Sequence, residues 1–483
     1  MKVNYKKIVF NNFLNSFGID QTISNKYSAN LSYNFNSKNK ILKNGVGVSD
    51  LKVLNSLTDK TSLTLDTSNL NTTYLNKLLY FKQYFPTSGR PQHRLLLHGS
   101  DNKLYVNQMY NGLSIFSWIY SLEFETPPIC LTYKLNGADT IILCSDEKMV
   151  VWTTNLAPYE VSDVPLISSM CISNGVLFCT LKKESGKVWF CTSLNPELIG
   201  TASEYANYFT LDDERGSCRK ILTFKENLYV FRDYGITRIN YYSPSSISTT
   251  QVYLSDSLIY ADTITVCGDS IMFLTKDGVY SFNGTSVKKV CLNVEELLDK
   301  DNSFTQGCSL QDKYYLALKL NFNDNKTILC ENGDFKNNAL LVVNLQDYSF
   351  EIVRGIDIKS MLALKADKEE KVVVTFNSGE VNKLAELDNS GKYFVENLPK
   401  FFSTGKIYAE DLSKMVIRKF VVDCSAGINF KIITNSQTKE FVSTKKGINK
   451  FETILPCENF HIELNSTEDE CYVRYIEIGY FKA

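Results

Sequence analysis

The sequence is short of the residues that most enzymes rely on. Its 483 residues include three histidines and three tryptophans. No Gly-rich phosphate loop, GxSxG elbow or HExxH helix occurs, so the common nucleotide, hydrolase and zinc-protease signatures are excluded. His93 and His98 are an odd number of residues apart, which on a strand puts their rings on opposite faces and makes them a poor metal pair. His461 stands alone, and all three read as surface or packing residues. The thirteen cysteines contain no CxxC pair. Cys144, Cys179 and Cys267 lie in apolar, strand-like contexts, where a reduced thiol packs as a small hydrophobe. The expectation is buried thiols, with no metal and no cofactor.

An excess of charge is also missing. Lys and Arg total 52 against 53 Asp and Glu, a formal charge of −1. That gives no electrostatic case for wrapping nucleic acid, and contact with DNA is expected only where residues line a lumen. No apolar run approaches the roughly 18 residues of a membrane span, and Ile8-Val9-Phe10 is too short for a signal-peptide core. These features predict a chain made and kept in a cytoplasm, with no membrane partner.

What the sequence has is aromatics and repetition. Phe, Tyr and Trp make up 12%, most of it 28 Tyr and 29 Phe, and such residues favour strands. Glu226 to Ile239 aligns without gaps on Asp269 to Phe282. Each copy runs from a polar pair through four apolar residues to a polar turn closed by Gly235 or Gly278, which reads as a hairpin. A turn-closing glycine suggests positive φ. Leu228 to Phe231 and Ile271 to Leu274 do not alternate, so both faces of these strands should be covered.

Five more hairpins follow the same pattern. They pair residues 94–98 with 103–106, 140–144 with 149–152, 176–179 with 187–190, 314–318 with 339–343, and 372–376 with 381–384. Turn centres recur at intervals of about 40–50 residues, the spacing of propeller blades. The reading is all-β: a β-propeller of about seven blades over residues 76–386, with residues 1–75 as an arm able to supply a closing strand. Strands at shorter intervals after residue 387, several of them alternating, such as Phe460 to Leu464, predict a separate C-terminal β-sandwich over 387–483. One short helix is expected at Val294 to Lys300, with Asn293 as its N-cap.

Two oxygen-rich stretches need weighing. Asp212-Asp213-Glu214 suits a solvated turn better than a paired-carboxylate glycosidase site. Asn321 to Asn325 resembles a Ca²⁺ loop, but Lys326 stands where the sharp-turn glycine belongs, so an exposed loop is the better reading. The repeats also lack the signatures of WD40, kelch and sialidase blades.

Residues 187–197, ending in Leu194-Asn195-Pro196-Glu197, then Tyr208 to Leu211 and Ile221 to Phe231, form a pattern of their own. This passage resembles one in β-propeller-like virion proteins of tailed bacteriophages, among them tail-stabilisation, head-completion and neck-type proteins. Phe13 to Asp20 and Leu42 to Gly47 are similar in kind. The resemblance implies a non-enzymatic structural subunit of a phage or phage-like particle, assembled in the host cytoplasm and located in the virion. Its implied partners are portal or adaptor proteins, tail or neck subunits and copies of itself. Asn195, Pro196 and Glu197, together with the turn glycines Gly235 and Gly278 of the repeat, read as structural turn residues. The alternatives are a receptor- or glycan-binding tail protein and, behind it, a propeller glycan hydrolase or lyase.

Overall fold

The structure is a computed structural model that describes residues 5–11, 13–17, 28–37, 40–54, 62–64, 67, 70, 72–84, 91–107, 116–154, 156–322, 335–366, 369–409 and 412–482. Among these residues there is no α-helix. The helix expected at Val294 is a 3₁₀ turn, Val294–Leu297. Asn293 precedes it in the left-handed region, at φ 74°, and makes no side-chain capping bond. A capping side chain needs extended backbone at that position.

Six four-stranded antiparallel meanders follow one another at residues 75–123, 129–161, 167–210, 218–254, 265–290 and 306–354. In the seventh, Ile358–Ala366, Glu369–Phe376 and Ala385–Asp388 are joined by Gly47–Asp50 from the arm. Its pairing begins later than the sequence suggests: Val374 pairs with Ala385, while residues 377–384 form a loop anchored where Leu384 O accepts from Leu51 N.

The apolar clusters explain the unbroken hydrophobic runs. Successive residues of a middle strand point to opposite faces. Ile141 and Leu143 therefore pack against the first meander, while Ile142 and Cys144 pack against the third. Each of the seven interfaces between neighbouring meanders holds one buried cluster, and the last joins Leu364 and Val373 to Leu95 and Leu97. Seven interfaces for seven sheets means the ring is closed, and the fold is a seven-bladed β-propeller.

The free edge of each blade's first strand carries backbone groups with no fifth strand to pair with. Side chains of neighbouring blades take some of them. Ser360 Oγ accepts from Leu78 N (3.2 Å) and Ser169 Oγ from Ile221 N (3.1 Å), while Tyr314 donates to Thr263 O (2.8 Å) in the turn just before the first strand of blade five.

The sandwich is not built from the C-terminal residues alone. Lys6–Phe10, Phe35–Asn36 and Leu42–Asn44 join one sheet with Tyr472–Lys482, Met415–Cys424 and Gly447–Cys457. Leu14–Phe17 and Ser28–Tyr33 join the other with Lys400–Thr404, Asn459–Ser466, Asn429–Thr434 and Thr438–Val442. Between the sheets lies one core in which Ile8, Phe10 and Phe35 of the arm meet Phe420, Phe430 and Ile478. The arm thus leaves the sandwich at Asn44 and enters blade seven at Gly47.

Candidate functional site

The turn at residues 194–198 ties two blades together. Asn195 caps the 3₁₀ turn Pro196–Leu198 by accepting from Glu197 N at 3.1 Å, and Leu194 takes a left-handed φ of 61°. From blade two, Tyr159 donates to Glu197 Oε1 (2.9 Å) and Tyr133 donates to Leu194 O (3.1 Å). Burial and the Glu197 carboxylate push the Tyr159 phenol up to about 12.

The two glycine turns share a register, Arg232 opposite Gly235 and Thr275 opposite Gly278, but need glycine for different reasons. Gly278 has φ +151°. Gly235 has no positive φ, contrary to the sequence expectation. A Cβ there would lie 2.3 Å from Tyr253 O and 2.8 Å from Arg215 Cγ, so space alone excludes a side chain.

Beside Gly235, Asp213 lies in the expected turn, but its side chain is only 22% exposed. It accepts from buried Arg232 at 2.5 Å and from Arg215 N at 2.9 Å. The Arg232 guanidinium also donates to Gly216 O and Leu211 O, and its side chain is 1% exposed. Burial would raise the Asp213 carboxyl, but the Arg215 N–H and the Arg232 and Arg215 charges outweigh it and hold it below its ordinary value. Asp212 and Glu214 remain exposed.

The arm meets blade six at Asn34, which is completely buried and has φ 60°. That left-handed corner, which Asn tolerates better than most residues, turns the chain from one sandwich sheet to the other. Its side chain bonds Arg354 N and O and donates to Pro399 O. The Arg354 guanidinium sits over Phe322 (4.1 Å) and Tyr33 (5.0 Å).

Next to this corner a cavity of about 550 Å³ lies between the arm and blade six. Asn36, Ser37 and Lys40 form one wall, and Asp312, Lys313 and Glu351 part of the other. Glu351 is 5% exposed, and neither of its oxygens has a partner in hydrogen-bonding geometry among the described residues. Burial pushes its carboxyl up to about 7, against a partial pull downward from Lys313 and Asn36.

In the ring itself, Lys220 of blade four donates to Ile264 O (2.7 Å), and burial drives it down to about 8. Lys77 of blade one adds repulsion to Lys220. His98 is buried, bonded through Nε2 to Phe124 O, while His93 stacks on Tyr80, so the two histidines share no site. Burial also lowers His461. The described cysteines are all free, and all but Cys130 are buried. Among the described residues no cluster of His, Cys, Asp and Glu could hold a metal ion. Asn323, Asp324, Asn325 and Lys326 of the supposed Ca²⁺ loop lie outside the described residues.

No family model matches the sequence, and no curated protein matches it. Solved structures similar to the chain include BBS1N in complex with ARL6DN, at 13% identity and TM-score 0.41, covering 70% of this chain and 97% of that one. Another is BamB from Moraxella catarrhalis, at 10% identity and TM-score 0.36, covering 61% and 78%. A third is the AfRom2 CNH domain, at 11% identity and TM-score 0.41, covering 66% and 97%. At these identities and scores the likeness carries no statement about what this chain binds or does.

Proposed function

We propose that the chain is a non-enzymatic structural subunit of a tailed-phage or phage-like particle, part of the neck or tail, bridging neighbouring virion proteins. The observation that carries this reading is the arm, which supplies strands to both sandwich sheets and the fourth strand of blade seven. A chain whose arm pairs with strands of both domains ties them together, as suits a bridging element. The turn at Asn195, Pro196 and Glu197, within the stretch that carries the phage resemblance, clasps blade to blade and so supports the same role.

Surfaces for neighbours are also present. The eleven-residue strand Gly447–Cys457 is the edge of its sheet and exposes Ile448 (56%) and Ile454 (64%). Exposed apolar residues on an unpaired edge suit strand addition by a partner or by another copy. The test is to purify intact particles and locate the chain by cryo-electron microscopy. The expected result is symmetric density at the neck or tail that accommodates a seven-bladed ring with its sandwich; absence of the chain from washed particles overturns the reading.

A glycan- or receptor-binding role is the second reading, favoured by the exposed Tyr205 (50%) and Tyr242 (76%). Glycan-array binding by the full chain, lost on changing either tyrosine to alanine, would place this role first.

A further inference from the structure

The cavity beside Asn34 holds an incomplete set of partners. Glu351 lies on the outermost strand of blade six, Phe350–Arg354, all five residues of which are buried. A buried carboxylate without donors costs several kcal/mol, so native proteins pair such groups. Burial outweighs the pull of Lys313 and Asn36 on its carboxyl, and other nearby groups are engaged with one another. Gln346 Nε2 donates to Asp312 Oδ2 (3.2 Å), and Ser349 Oγ donates to Asp347 Oδ1 (2.7 Å). Neither carboxylate oxygen has a donor in hydrogen-bonding geometry among the described residues, which leaves both open to in-plane N–H donors brought from outside.

The charges lining the cavity point the same way. Among the described residues, Asp312, Asp347 and Glu351 face Lys40 and Lys313, an excess of one negative charge when Glu351 is ionised. A compact monocation with two parallel donors answers both needs, and that is a guanidinium: its fork matches a carboxylate bidentately, where an ammonium offers only a point charge. At about 550 Å³ the cavity has room for the group and its aliphatic stem.

We infer that this cavity is a binding site for a guanidinium group, with Glu351 as its carboxylate partner. The inference stands independently of the particle role. Only the ionised carboxylate is competent, so with its carboxyl near 7 the affinity should fall about tenfold between pH 8 and pH 6, in step with the competent fraction. The groups facing Glu351 are Lys313 of blade six and Asn36 of the arm, with Lys40, Asp312 and Asp347 around the cavity.

The experiment is calorimetric titration of the full chain with propylguanidine and with a Gly-Arg-Gly peptide, at pH 6 and pH 8, using urea as the neutral control. Propylguanidine should bind at pH 8, about tenfold more weakly at pH 6, and urea should not bind. Glu351→Gln, which keeps the side-chain shape, should weaken binding at least tenfold and abolish the pH dependence while the thermal transition stays cooperative. Equal affinity for the peptide marks a partner protein's arginine as the source; binding of propylguanidine alone marks a free guanidino compound. No binding of either at pH 8, or binding unchanged in Glu351→Gln, overturns the inference.

Discussion

Asn34 and Arg354 hold each other by two reciprocal hydrogen bonds: the Arg354 N–H donates to Asn34 Oδ1 at 2.8 Å, and Asn34 Nδ2 donates to Arg354 O at 3.1 Å. Both residues are buried, at 0% and 4% exposure, so no water can replace a lost partner. Asn34→Ala removes the side chain and places alanine at a left-handed φ. The expected loss is about 3 kcal/mol or more, read as a lowered denaturant midpoint. A change below about 0.5 kcal/mol would show that the junction does not bind the arm to blade six.

The paired glycines give a comparison within one chain. Gly235→Ala sets a methyl against the backbone carbonyl of Tyr253, which is held in the neighbouring strand and cannot move aside cheaply. Gly278→Ala meets the Lys289 side-chain end, which can swing away, leaving chiefly the backbone strain of about 1 to 2 kcal/mol. Thermal melts should therefore rank Gly235→Ala clearly below Gly278→Ala, and the opposite order would refute the assignment.

Asp213→Asn leaves the buried Arg232 guanidinium without its charge partner. Breaking such a pair costs about 3 kcal/mol. The Asp213 carboxyl is held below its ordinary value, so its contribution is present above pH 4 or so and disappears as pH falls through the folded value. Wild type and variant should thus converge in stability under strong acid. Loss of polysaccharide cleavage in a variant that still melts like wild type would instead reinstate an enzymatic reading.

Glu351 has the opposite sign. Its folded carboxyl sits near 7, above the unfolded value, so the fold is favoured while the group is protonated and loses stability as pH rises from about 4.5 through 7. Glu351→Gln should gain up to about 3 kcal/mol over wild type at pH 8 and nothing at pH 4. Melting curves across that range check it, and a pH-independent difference would mean the carboxyl is solvated.

Residues 381–384 of blade seven, which read as a strand, lie in a loop, but the middle strands of the first six blades are legible in the sequence because they are apolar on both faces. The blade edges are not: most residues of Ser246–Leu254 are exposed, and their composition resembles a loop. Two signals for the preceding hairpin are nevertheless present. Asn136-Gly137 and Asn174-Gly175 take left-handed φ values and connect first strands to second strands, the usual role of that dipeptide. The features around the cavity carry no local mark. Asn34 and Arg354 are 320 residues apart, and the burial of Glu351 depends on an arm that is polar along most of its length. The sandwich was readable only in its C-terminal half for the same reason.

The fourth strand of blade seven, Gly47–Asp50, pairs with a segment that ends at Asp388. During synthesis it must wait, unpaired, for six blades and most of a seventh to be made, so the ring shuts late and by a long-range contact of the kind that slows folding. Two neighbouring copies that each reach this stage can trade the strand, giving an interlocked dimer with the same contacts as the closed monomer.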